Sequence, residues 1–76
     1  MNLNLENKSI GEQIKIITLF RGLTMKHLAE ELNKRFGTKH FQQTISKKIK
    51  TNVFSYNDLK QIGEILGFEV ELKMID

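Results

Sequence analysis

Between Ser9 and Gly67, apolar residues recur at intervals of three and four in four successive runs, and this period restricts the fold more than any other feature. The first run is Ile10, Ile14, Ile17 and Phe20. It opens on Ser9 with Glu12 three residues on, the pattern of a capping box, and Gly22 ends it. The second is Met25, Leu28, Ala29, Leu32 and Phe36, capped by Thr24 and stopped by Gly37. A third helix is expected from about Phe41 to Ile49, with Phe41, Ile45 and Ile49 inward and Gln42, Gln43, Ser46, Lys47, Lys48 and Lys50 on its other faces. The fourth begins at Ser55 with Asp58 as its acidic partner, buries Leu59, Ile62, Ile65 and Leu66, and ends at Gly67.

After Gly67 the period changes to two. Phe68, Val70, Leu72 and Met74 alternate with Glu69, Glu71, Lys73 and Ile75, which predicts a C-terminal strand over residues 68–75. Met1, Leu3 and Leu5 alternate more weakly, so residues 1–7 read as either extended or disordered. A lone strand leaves its backbone groups unpaired. The expected partner of the tail is therefore residues 1–6 of its own chain or the same strand of a second copy. The expectation is a mainly α, four-helix domain over residues 1–76, with its helical core at 9–67.

A chain of 76 residues holds one domain. A single core of that size supplies roughly 3–5 kcal/mol, and without cysteine no disulfide or thiolate metal site can add to it. His27 and His40 are too few for a histidine-based zinc site without carboxylate help. Stability must come from packed helices, from oligomerisation, or from both.

The net charge of +3 is a mild bias, but its distribution is uneven. Lys34, Arg35, Lys39, Lys47, Lys48 and Lys50 fall between residues 34 and 50 with no acid among them. From Thr51 onward, two bases face five acids. A basic block beside an acidic tail suits a polyanion docking on one part of the surface. An apolar second helix, a turn and a polar-faced third helix also make a helix-turn-helix. In that arrangement one helix lies across the phosphate backbone, and the next enters the major groove with its N-terminal side chains toward base edges. Glutamine can pair bidentately with adenine N6 and N7, and lysine can donate to guanine O6 or N7.

The runs Leu23-Thr24-Met25-Lys26-His27-Leu28-Ala29-Glu30-Glu31-Leu32 and Gln42-Gln43-Thr44-Ile45-Ser46-Lys47-Lys48-Ile49 resemble the lambdoid-repressor, or Cro/C1-type, helix-turn-helix family. The segment from Asn57-Asp58-Leu59 to Gly67 resembles the helix that follows in that family, and the likeness covers about residues 10–67. The resemblance implies base contacts from Gln42, Gln43 and Lys47, with Ser46 near the same face. It implies phosphate contacts from Thr24 and Met25 at the start of the second helix, and from Lys50 and Thr51 after the third. The charge pattern adds Lys34, Arg35, Lys39 and Lys48 as phosphate contacts. The resemblance also implies double-stranded DNA as partner, a homodimer (here through the C-terminal strand) and a role in transcriptional regulation.

The sequence departs from the family in two places. The interval from Ala29 to Thr44 is longer by about six residues, which a second helix continued to Phe36 absorbs as roughly 9 Å of extra length. The turn would then be Gly37-Thr38-Lys39-His40. The cap of the third helix, usually Ser or Thr, falls to His40 or Phe41.

The alternative function is a protein-interaction module on the same scaffold, of antitoxin or anti-repressor type, suggested by the acidic C-terminal part. Catalysis has little support: there is no cysteine nucleophile, Gly-x-Ser-x-Gly elbow, phosphate-cradling glycine loop or His-Glu-x-x-His helix. Neither a cofactor nor a metal is expected. Tyr56 and the five phenylalanines read as core or core-edge packing. No apolar stretch approaches the roughly 20 residues of a membrane span, and no leader pattern opens the chain, so a cytoplasmic location is expected.

Overall fold

A computed structural model describes Leu5, residues 7–72, Met74 and Ile75. Its elements are four helices: α1 (Ile10–Phe20), α2 (Met25–Phe36), α3 (Gln42–Thr51) and α4 (Tyr56–Leu66). Three of them start where a hydroxyl side chain can satisfy an orphan backbone donor. Ser9 accepts from the Glu12 N–H at 3.2 Å and Thr24 from the His27 N–H at 3.1 Å. Ser55 and Asp58 form the reciprocal box, each side chain accepting from the other's backbone N–H at 3.0 Å. Gly37 and Gly67 close α2 and α4 in the left-handed conformation, as their positions after the apolar runs anticipate.

The core consists of Ile14, Leu28, Ala29, Leu32, Ile45, Ile62 and Leu66. Ile17, Leu23, Met25, Phe36, Ile49, Phe54, Leu59, Ile65 and Phe68 pack around it. α3 packs against α1 and α2, and α4 packs against α2. Full burial of a Leu or Ile side chain contributes about 1.5–3 kcal/mol, so Ile45, at 1% exposure, ties α3 to the rest.

The inner face of α1 differs from the expected row. Gly11, Ile14 and Thr18 are buried, while Ile10 and Phe20 are exposed. A Cβ on Gly11 would collide with the backbone carbonyl of Ile49, so the missing side chain is what lets α1 sit against the end of α3. Thr18 is buried without an unmet donor, because its hydroxyl donates to the Ile14 carbonyl at 2.7 Å. Asn52 completes this junction. It closes α3 at φ 58°, and its Oδ1 accepts from the Gly11 N–H at 2.8 Å.

Several other expectations are corrected. Phe41 does not point inward: it is the extended residue preceding α3 and is 71% exposed. Phe20 and Tyr56 are exposed too, under the Arg21 guanidinium and the Lys60 ammonium respectively, rather than in the core. The C-terminal strand is absent: the described residues contain no strand. Instead the Gly67 and Phe68 amides both donate to the Gly63 carbonyl, Phe68 turns back onto the core, and Val70 is half-buried. Beyond it Leu72, Met74 and Ile75 are almost fully exposed. Strand geometry without a partner offers the backbone no hydrogen bonds, so alternation by itself does not produce it. The expected N-terminal pairing partner, residues 1–6, lies outside the described residues apart from Leu5. Among the described residues, no helix is long and apolar enough to cross a membrane.

Candidate nucleic-acid interface

The outer face of α3 follows from its inner one. With Ile45 buried and Ile49 packed against the core, helical spacing puts Gln43, Lys47 and Lys50 in one row on the opposite side. All three are exposed, as are Gln42 and Thr44 in the first turn. Gln42 and Ser46 share the flank facing α1 and the start of α2. There Ser46 and Lys50 line an open groove with Met25, Ile49, Ser9, Glu12 and Lys15. Met25, Ser46 and Lys50, three residues singled out from the sequence, are thus brought together.

Lys48 occupies the other flank. Its ammonium donates to Asp58 Oδ2 at 2.7 Å, joining α3 to the start of α4. Partial burial pushes the Asp58 carboxyl up, but Lys48 and the Ser55 N–H and hydroxyl outweigh it and hold it below the usual carboxylate range. Arg35 is likewise engaged within the fold. Its guanidinium donates to the Glu64 carbonyl at 3.1 Å, and Arg21 donates to the Leu66 carbonyl at 2.8 Å. Two cations therefore meet the C-terminal carbonyls of α4, where the helix dipole favours them.

The remaining expected contacts fall into two groups. Thr24 is committed as the cap of α2, with its hydroxyl also 3.1 Å from His27 Nδ1, and Thr51 donates to the Lys47 carbonyl at 2.7 Å. Lys34 and Lys39 are exposed at the end of α2 and in the turn beyond it. That turn is ordered by Asn33, a residue the sequence reading did not single out. Asn33 Oδ1 accepts from the His40 N–H at 2.7 Å and from the Thr38 hydroxyl at 2.8 Å, and its Nδ2 donates to the His40 carbonyl at 2.8 Å. The residues between α2 and α3 are thereby clamped to the last turns of α2, which fixes where α3 begins.

Arg21, Asn33 and Asn52 carry structure at these junctions without having been picked out beforehand. Only Asn52 had a local signal, since asparagine after a lysine-rich helix end is a common left-handed stop. Among the described residues, no cluster of three or more His, Cys, Asp or Glu side chains could hold a metal. No protein-family model matches the chain, and neither a curated protein nor a solved structure does.

Proposed function

We propose that the chain is a sequence-specific double-stranded DNA-binding domain, a small transcriptional regulator that acts in the cytoplasm by occupying its site. The observation that carries this reading is the division of α3. Ile45 is sunk in the core, the opposite face offers exposed Gln43 and Lys47, and exposed Gln42 stands on the flank beside them, both glutamines lying in the helix's N-terminal half. That half is the part that meets base edges when a helix lies in the major groove. Ser46, Met25 and Lys50 flank it, and Lys34 and Lys39 extend the cationic surface toward the phosphates. Lys48 and Arg35 contribute through their fixed positions, since each already bonds within the fold.

Fluorescence anisotropy on random-sequence duplex DNA across a salt series tests the reading. Affinity should fall with salt, log K dropping by about 0.9 per contacted phosphate for each unit of log salt. Lys47→Ala and Lys50→Ala should each weaken binding and lower that slope. Absence of binding at low salt would remove the reading.

A second reading rests on the tail, where Leu72, Met74 and Ile75 are each more than nine-tenths exposed. On the first reading this segment is where a second copy pairs to span two half-sites. On the second it engages a different protein, and the scaffold is an interaction module. Sedimentation of the purified chain separates them: a concentration-dependent dimer favours the first and a strict monomer the second.

A further inference from the structure

Phe41 is a large apolar side chain held outside the core at the head of the proposed reading helix. The residue is 71% exposed, at a backbone position (φ −101°, ψ 157°) where a polar side chain would ordinarily cap α3, and it makes no capping bond. Nor is its position loose. Asn33 holds both backbone groups of the preceding residue, His40, and the Phe41 carbonyl accepts from the Ile45 N–H at 3.2 Å. The ring is therefore presented from a backbone fixed on both sides. Next to it are exposed Gln42 and Gln43, with Lys39 and Lys47 nearby in the chain and no carboxylate from residue 34 to residue 50.

The major groove displays one apolar group, the 5-methyl of thymine, alongside the donors and acceptors that glutamine reads. We infer that Phe41 is a base-reading residue, packing on a thymine methyl next to the base pair engaged by Gln42 or Gln43. The half-site would then pair a glutamine-read adenine with an adjacent thymine. This rests on the DNA-binding reading and adds to it a specificity determinant of a different chemical kind from the glutamines and lysines. Phenylalanine in place of a capping serine or threonine gives up a helix-capping bond and places an apolar surface at the tip of α3.

The test starts from a duplex selected on the wild-type chain from a random-sequence pool. It is resynthesised with each thymine replaced singly by deoxyuridine, which removes only the methyl group. At one position the wild type should lose about fourfold in affinity, the ratio expected for one buried CH2-sized group. Phe41→Ala should bind the thymine and deoxyuridine forms of that duplex equally. Phe41→Ser, which restores a side chain able to cap α3, should do the same, and circular dichroism should show it folded. A selected duplex whose methyl dependence is unchanged in both variants, or that has none, overturns the inference while leaving DNA binding in place. Failure to bind or select any duplex overturns the DNA reading itself, and the inference with it.

Discussion

Asp58 serves two elements through one carboxylate oxygen, accepting from the Ser55 N–H that starts α4 and from the Lys48 ammonium on α3. Asp58→Asn should cost about 1–2 kcal/mol, the range for losing a helix-start bond together with a charge-assisted one. Its pH dependence has a definite sign. The folded carboxyl lies below its ordinary value, so its contribution is complete above the unfolded value of about 3.9 and is lost as pH falls through the folded one. Chemical denaturation of wild type and Asp58→Asn should show a gap that is constant near neutrality and narrows in strong acid. A gap that stays constant to the lowest pH would mean the carboxylate's charge adds nothing. Gly11→Ala tests a steric claim at the same scale. The added Cβ meets the Ile49 carbonyl, so α1 must shift, and a loss of about 1–3 kcal/mol in melting experiments is expected.

Among the elements, α1, α2 and α4 were legible because period, caps and stops agreed along the sequence, and α3 from its period alone. α2 is the clearest: Thr24, the Leu28-Ala29-Leu32 face and Gly37 all hold the places the pattern gives them. The start of α3 was harder to read. Phe41 lies four residues before Ile45, which reads as the same stripe, yet it precedes the first helical residue, and extended backbone there sends the ring away from the core. On α1, hydropathy favoured Ile10 and Phe20 over Gly11 and Thr18. It registers neither the close approach that glycine allows nor a hydroxyl that satisfies itself on Ile14. The site divides the same way. Exposure of Gln42, Gln43 and Lys47 follows from the period, whereas the bonds of Lys48 to Asp58 and Arg35 to Glu64 depend on partners 10 and 29 residues away. Asn33 controls the α2–α3 connection, so Asn33→Ala should speed hydrogen exchange at the His40 amide and cost about 1–3 kcal/mol. An unchanged His40 exchange rate would show that the turn holds itself.

On the scale of the whole molecule, the helical body and the tail differ in what holds them. The body closes on seven buried apolar side chains from all four helices, and among the described residues Phe68 is the last large one packed against that core. Removing residues 72–76 should leave the unfolding free energy of dilute protein unchanged within about 0.5 kcal/mol, as for surface changes generally. If a second copy pairs through this segment, the same truncation should abolish the dimer at high concentration. The alternation that predicted a strand there reported which side chains could share a face, while strand formation needs a partner, and the described residues pair no strand with the tail.

The central claim, that the outer face of α3 docks on duplex DNA, is tested most directly by titrating isotope-labelled protein with random-sequence duplex at low salt and following backbone amides by NMR. The account predicts shifts concentrated at Phe41, Gln42, Gln43, Ser46 and Lys47, with smaller ones at Met25 and Lys50, while α4 beyond its first turn stays in place. Shifts centred instead on α4 and the tail, or none at all, would contradict it.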